Sequence, residues 1–182
     1  MCGIAGFVGK KFQNEDIENY IKLINHRGPD ETGFFKSLNA QFATARLSII
    51  DKIGGHQPFY NEDRTIVVIF NGQIYNHKEL SNFLSGSHVM NSKSDGEVIA
   101  HLYEEFGELW VEKVEGMFAV AIWDINKQEL LLYRDRFGKK PLYYTSADDG
   151  IAFSSEIRVL KKLLNLKRAD CDSNSINLFL NL

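Results

Sequence analysis

The sequence contains few cysteines and no long hydrophobic segment. Cys2 and Cys171 are its only thiols, which excludes a disulfide framework and favours a reducing cytoplasm. Cys171 lies in a polar stretch and is interpreted as incidental. The longest apolar runs, at residues 66–70 and 118–123, are too short to cross a bilayer and predict buried strands. No signal-peptide pattern is present at the start, so we expect a cytoplasmic protein without a membrane partner.

The charge and the histidine spacing argue against two classes of ligand. The sequence has 21 basic and 24 acidic residues, a net charge of −3. Such a balance lacks the basic surplus of nucleic-acid-binding proteins. The five histidines, at positions 26, 56, 77, 88 and 101, do not follow the spacing of common metal-ligand motifs. We therefore expect neither nucleic acid nor a metal ion as a ligand.

The hydrophobic pattern predicts an α+β fold. Strands are predicted at residues 4–8, 42–46, 65–70, 117–123, 129–133, 142–145 and 151–154. Helical spacing predicts helices at residues 17–24, 77–84, 98–106 and 156–164, with Asn14 capping the first and a Ser94–Glu97 capping box before the third. The order lacks a regular βαβ alternation, which favours stacked sheets covered by helices.

The second residue is the first candidate for chemistry. Removal of Met1 would give Cys2 both a thiol and a free α-amine. The reference pKa of an α-amine, about 7.7–8.0, is close to that of a thiol, about 8.5, so the amine can take the thiol proton near neutral pH. Enzymes with an N-terminal Ser, Thr or Cys use this arrangement. If Met1 is retained, the base is lost and the protein is an inactive precursor; alternatively, Cys2 is a small structural residue before a strand.

Seven short motifs occur in one order along the chain. They are MCGI at 1–4, HRGPD at 26–30, RLSIID at 46–51, NGQIYN at 71–76, SDGEV at 94–98, GMFA at 116–119 and RDRFG at 134–138. Together they resemble the glutaminase domain of glutamine-hydrolysing asparagine synthetases, over residues 2–164. The resemblance implies a class II glutamine amidotransferase domain with an N-terminal-nucleophile hydrolase fold: two packed antiparallel sheets between helical layers.

The resemblance also implies roles for individual residues. Cys2 corresponds to the nucleophile that attacks the side-chain amide of glutamine, and Asn71 and Gly72 correspond to the oxyanion hole. Residues implied in glutamine binding are Arg46 on the α-carboxylate, Leu47, Ser48, Ile49 and Ile50 in the pocket wall, Asn71, Gly72 and Gln73, and Asp95 on the α-ammonium. Each has a plainer alternative: Asn-Gly is a common turn, an arginine at a strand end is often only solvated, and Asp95 suits the first turn of a helix.

Gln73 departs from the family pattern. The family usually has Glu at this position, where the acid helps to receive the substrate's α-amino group. Gln73 keeps an acceptor oxygen but lacks the charge, so the charge pairing would depend more heavily on Asp95.

The synthetase half of such enzymes is not recognisable in this sequence. Gly54-Gly55 is too short for a pyrophosphate-binding loop. The resemblance therefore implies a chain that needs no cofactor of its own and releases ammonia and glutamate, with ATP and Mg²⁺ acting in a separate synthetase domain. Residues 165–182 are expected to be a linker or the start of that domain. The expected partners are L-glutamine and the synthetase domain, and a homodimer is left open.

Two alternatives of other classes remain at this level. The same fold could be a catalytically silent interaction domain, or it could hydrolyse an amide other than glutamine.

Overall fold

The computed structural model describes residues 1–147, 149–167, 170 and 172–181, and within these it contains nine strands. The strands are β1 Gly3–Val8, β2 Glu31–Lys36, β3 Ala40–Arg46, β4 Phe59–Tyr60, β5 Ile66–Ile74, β6 Gly116–Asp124, β7 Glu129–Arg134, β8 Tyr143–Ala147 and β9 Gly150–Ser154.

Helices connect the strands in both halves of the chain. The α-helices are α1 Glu18–Ile21, α2 His77–Leu84, α3 Val98–Phe106, α4 Ile157–Leu163 and α5 Ser173–Leu180. Three short 3₁₀ segments, Lys10–Phe12, Lys22–Arg27 and Gly107–Lys113, follow β1, α1 and α3. Within the described ranges, no helix is both long and apolar enough to span a membrane.

The strands form two antiparallel sheets. One has the order β2-β3-β1-β9-β8, and the other has the order β4-β5-β6-β7. In the first sheet β1 pairs with β3 from Gly3↔Ala45 onward, and in the second β5 pairs with β6 from Ile66↔Asp124 to Ile74↔Gly116. β1, which directly follows Cys2, and β5 are therefore both inner strands of their sheets.

Three apolar layers hold the sheets and helices together. Strand alternation sends Ile4 of β1 and Ile69 of β5 into the layer between the sheets, where Phe42 and Trp123 pack edge to face. The opposite face of β1, with Ala5 and Phe7, packs under α1 and α4. The opposite face of the second sheet packs under α2 and α3. The α+β fold with two packed antiparallel sheets between helical layers, predicted from the sequence, is confirmed.

Several local predictions were wrong. Strands β2 and β4 were missed, and β5 continues through residues 71–74, where the sequence suggested that the strand had ended. Asn14 does not cap α1; instead Gln41 Oε1 accepts the Ile17 N–H at 3.1 Å.

The predicted capping box is also absent. Helix α3 begins at Val98, and Glu97 turns its carboxylate back to the N–H of Ser92 at 2.7 Å instead of capping with Ser94. Cys171 lies outside the described residues. Helix α5 lies in the stretch predicted to be a linker, and the domain boundary near residue 164 stays a prediction.

Candidate active site

The residue before β1 lies at the edge of the layer between the sheets. Ile4 faces this layer, and strand alternation places Cys2 on the same side. The Leu47 N–H lies 3.4 Å from the Cys2 sulfur, and the Leu47 carbonyl oxygen lies 3.7 Å from it. The Arg27 Nε–H holds the Cys2 carbonyl oxygen at 3.0 Å and fixes the backbone.

The hydrogen-bond alternation of the second sheet sets the direction of the Gly72 N–H. Gly72 pairs with Phe118 across β5 and β6. Phe118 directs both its N–H and its carbonyl to Asp135, on the side of β6 away from β5. In an antiparallel pair the two opposite residues either exchange both bonds or neither. The Gly72 N–H therefore points away from β6, toward the outer edge of β5.

The neighbours of Gly72 along that edge are already bonded. The amide side chain of Gln57 bonds both the N–H of Phe70, at 2.8 Å, and its carbonyl oxygen, at 3.0 Å. The Asp95 carboxylate accepts the N–H of Ile74 at 2.9 Å. Gly72 lies between them at the cleft, where a Cβ would come within 2.2 Å of the Met117 carbonyl oxygen. The glycine thus permits the close strand pairing that presents its N–H.

Asn71 contributes a buried donor on the face of β5 toward the first sheet. Val67 and Ile69, four and two residues earlier, pack in the layer between the sheets, so alternation places Asn71 at the end of the same row. Asn71 is 1% exposed, and its Nδ2 has no hydrogen-bond partner among the described residues. Buried polar groups are nearly always bonded, so an unpaired amide beside a cleft calls for a functional explanation.

Arg46 is buried at the end of β3, not solvated. It is 4% exposed, and its guanidinium donates to Glu31 Oε2 at 2.9 Å. It also donates to the carbonyl oxygens of Asp51, at 2.6 Å, and Ile50, at 3.3 Å. These bonds tie the following loop over the strand end. They leave the Nε–H and one Nη1–H for a ligand, since a guanidinium carries five donors.

Two further polar side chains, those of Asp95 and Gln73, line the cleft. Asp95 is 5% exposed and lies in the turn before α3, so the interpretation as a first-turn helix acid was wrong. Burial raises the pKa of Asp95, although the Ile74 N–H and the nearby His77 act in the other direction. A cation beside Asp95 would therefore stabilise its charged form. Gln73 is half-buried and follows Asn71 by two residues on the same face of β5.

These groups share one cleft of about 200 Å³. Every residue that the sequence assigned to the site lines it except Ser48, whose N–H is bonded to Asp30 at 2.8 Å. Residues 26–30 hold the segments beside the cleft: Arg27 holds Cys2, and Asp30 holds Ser48 and the carbonyl of Arg46.

Sequence reasoning did not assign six further lining residues to the site: Met1, Gln57, Phe70, Ser94, Met117 and Lys140. Lys140 is 7% exposed, and no carboxylate partner for it is found in the described part of the chain. Its backbone is held by the Asp135 carboxylate, which accepts the Lys140 N–H at 3.0 Å. The RDRFG motif at 134–138 is part of the family resemblance, but only the geometry of its turn brings Lys140 to the cleft.

The described residues also contain a possible metal-binding cluster away from the cleft. Glu62, His88, His101 and Glu104 bring one ligand atom each within 4.8 Å of one another. The spacing of the histidines along the sequence did not indicate this grouping.

The fold and the cleft define a class: two antiparallel sheets between helices, with a cysteine at the tip of a central strand. A solved structure of the glutamine phosphoribosylpyrophosphate amidotransferase from B. subtilis, complexed with ADP and GMP, has this fold. It superposes with a TM-score of 0.72 over 89% of this chain and 43% of that chain, at 19% identity. The N-terminal-nucleophile amidotransferase fold is thereby confirmed.

Sequence comparison then gives the family. The family model for a glutamine amidotransferase domain matches residues 1–182, and the chain belongs to this family. Glutamine-hydrolyzing asparagine synthetase 2 of Bacillus subtilis (strain 168) is 45% identical over 166 residues, which cover 88% of this chain. Glutamine-hydrolyzing asparagine synthetase 2 of Oryza sativa subsp. japonica is 42% identical over 165 residues, again 88% of this chain. The chain spans 22% and 28% of the lengths of these two relatives, at their N-terminal part.

Proposed function

We propose that this domain hydrolyses L-glutamine to glutamate and ammonia through the Cys2 thiolate. The observation that carries the proposal is the buried, unpartnered Nδ2 of Asn71 in the cleft that Cys2 also lines. An amide donor without a partner is suited to a negative charge that exists only during the reaction.

The chemistry follows from the groups around Cys2. After removal of Met1, the Cys2 α-amine takes the thiol proton and the thiolate attacks the side-chain amide carbon of glutamine. The Asn71 Nδ2–H and the Gly72 N–H donate to the resulting oxyanion. Collapse of the intermediate breaks the C–N bond, and the α-ammonium returns the proton to the leaving ammonia. Water then attacks the thioester, and glutamate leaves with the thiol restored.

The remaining cleft residues select the amino-acid end of the substrate. Arg46 has two guanidinium N–H groups that its bonds to Glu31, Ile50 and Asp51 do not use. These two donors suit the α-carboxylate. Asp95 supplies the negative charge for the α-ammonium, and Gln73 adds an acceptor oxygen. Leu47, Ile49 and Ile50 line the same cleft and supply apolar wall for the substrate side chain.

The half-reaction uses no cofactor at Cys2. We propose that the ammonia passes to an ATP- and Mg²⁺-dependent synthetase domain of a larger protein, as the family resemblance implies, and that the protein works in the cytoplasm.

The test combines intact mass with thiol labelling by a glutamine-like diazo-ketone. We expect a purified protein lacking the mass of Met1, one label per chain, and glutamine-dependent ammonia release. Cys2→Ala should abolish labelling and turnover while leaving thermal unfolding nearly unchanged, since one sulfur at a strand tip contributes little packing. Cys171→Ser is the matched control and should retain both.

Two results would contradict the proposal. Turnover by Cys2→Ala would exclude this nucleophile. A folded protein that lacks Met1 yet neither labels nor hydrolyses glutamine would favour a silent domain or a different amide substrate.

A further inference from the structure

Two histidines and two glutamates from three separate segments converge on the outer side of the second sheet. Glu62 lies in the turn between β4 and β5, His88 lies in the loop after α2, and His101 and Glu104 lie on α3. Among the residues that the structure describes, the lining of the Cys2 cleft includes none of the four.

His101 is the least ordinary member of this cluster. Its side chain is 0% exposed, and neither ring nitrogen has a hydrogen-bond partner within the described ranges. Its Nδ1 lies 3.4 Å from Glu62 Oε2 but outside hydrogen-bond geometry. A buried imidazole with both nitrogens unpaired is unfavourable by the desolvation of each polar atom. A ligand between Nδ1 and Glu62 would remove the penalty at Nδ1.

His88 directs a second imidazole nitrogen toward the same point. The centroids of its ring and the His101 ring are 4.9 Å apart. Its Nδ1 lies 3.1 Å from Glu62 Oε1 and 4.0 Å from Glu104 Oε2. Two nitrogens thus face carboxylate oxygens across a small gap.

The far nitrogen of each histidine faces an outer carboxylate. His88 Nε2 lies 3.0 Å from Glu105 Oε1, and His101 Nε2 lies 3.9 Å from Glu97 Oε1. Metal-ligating histidines almost always donate their second N–H to a carboxylate, carbonyl or water, which fixes the ring and its tautomer. The Glu97 carboxylate is itself held by backbone N–H groups, including that of Ser92 at 2.7 Å.

We propose that Glu62, His88, His101 and Glu104 bind one zinc ion. Two imidazole nitrogens and two carboxylate oxygens form a donor set that Zn²⁺ accepts in tetrahedral geometry. With bonds of about 2.0–2.2 Å, tetrahedral ligands lie roughly 3.4 Å apart. The four ligand atoms lie within 4.8 Å of one another, so zinc binding requires a small inward movement. The part-exposed side chains of Glu62 and Glu104 allow that movement. Magnesium is disfavoured because it prefers oxygen ligands and retains its waters.

The ion would fasten three segments that are far apart in the sequence. It would join α3 to the β4–β5 turn and to the loop after α2. Because the cluster shares no residue with the Cys2 cleft, the test of zinc binding and the test of glutaminase activity have independent outcomes.

In the test, the chelator-treated, dialysed protein is titrated with Zn²⁺, and calorimetry measures the binding. We expect one ion per chain, a rise in melting temperature with Zn²⁺ and no such rise with Mg²⁺. Co²⁺ in place of Zn²⁺ should give the intense visible absorption of a tetrahedral site. These readouts do not depend on enzymatic activity.

Matched variants separate a built site from surface binding. Glu105→Gln, which removes an outer partner, should weaken zinc binding roughly 10–100-fold. Glu62→Gln and His88→Gln remove ligands and should weaken it further, and circular dichroism establishes that they fold. His26→Gln removes an imidazole that pairs with Glu156 elsewhere, and it should bind zinc as the parent does. Absence of binding by the parent protein, or equal affinity in Glu62→Gln, His88→Gln and the parent, would overturn the proposal.

Discussion

Replacement of Asn71 by leucine should lower the catalytic rate without lowering the stability of the fold. If the Asn71 amide donates to the oxyanion, its loss should lower kcat about 10²–10³-fold, the range for removal of one oxyanion-hole donor. The KM for glutamine should change little, because the donor acts mainly in the transition state.

The stability of the same variant follows from the burial of the side chain. Asn71 is 1% exposed, and its Nδ2 has no partner among the described residues. A buried unsatisfied group is unfavourable by about 1–3 kcal/mol, so an apolar side chain of similar size should leave the free energy of unfolding unchanged or higher.

Asn76 is the control within the same NGQIYN segment. Its side chain donates to the Lys113 carbonyl oxygen and accepts the Glu115 N–H, both at 3.0 Å. Asn76→Leu should lower the free energy of unfolding by about 0.5–1.5 kcal/mol for each bond lost and leave kcat unchanged.

The assays are steady-state ammonia release and denaturant unfolding. The reasoning is refuted if Asn71→Leu keeps kcat within about twofold of the parent, the change expected for a residue with no transition-state contact. It is also refuted if Asn71→Leu loses as much stability as Asn76→Leu, since the amide would then have a native partner.

Two further changes test the binding end of the cleft. Gln73→Glu should lower the KM for glutamine about threefold to tenfold at unchanged kcat, because a carboxylate adds charge attraction to the α-ammonium, and 1.4 kcal/mol corresponds to tenfold; an unchanged or higher KM in steady-state kinetics would show that Gln73 does not face that group. Asp95→Asn should raise KM through loss of the charge partner. Because burial raises the pKa of Asp95, the native state binds its proton more tightly than the unfolded chain, and the parent loses stability as the pH rises from 3.8 through the raised native pKa. Asp95→Asn should therefore unfold at a higher denaturant concentration than the parent at pH 7, and this gain should shrink as the pH falls through the raised native pKa toward 3.8; a constant difference across this range would contradict the assignment.

Residue types and order along the chain were enough to predict the fold. Short apolar runs in β1, β5 and β6 and helical spacing in α2 and α3 are local signals, and they survive because the strands are buried on both faces and each helix buries the face that its pattern defines. Strand β2 was missed because its residues alternate between exposed and half-buried positions at a sheet edge, where hydrophobic contrast is weak.

The site was predictable in its membership but not in its geometry. The sequence motifs brought Cys2, Arg46, Asn71 and Asp95 into one hypothesis. The Asn71-Gly72 pair was nevertheless interpreted as coming after the strand, although both residues lie within β5 and pair with β6. Pairing with a partner strand overrides the turn preference of Asn-Gly, which is a local property only.

The capping box failed for a similar reason. Its spacing is correct, but the Glu97 carboxylate is engaged by the N–H groups of Asn91 and Ser92, which the sequence pattern does not reveal. A cap is a competition among acceptors that only the folded chain brings together.

The sequence by itself thus determined the layered fold, the N-terminal cysteine as the candidate nucleophile and the chemical character of the cleft, because these depend on local periodicity and on residue identity. Only the tertiary structure decided which edge N–H faces the cleft, that Asn71 lacks a partner, that Lys140 reaches the site and that His88 meets His101. Each of these depends on contacts between segments far apart in the chain, and the pairing of β5 with β6 and the packing of α3 create those contacts.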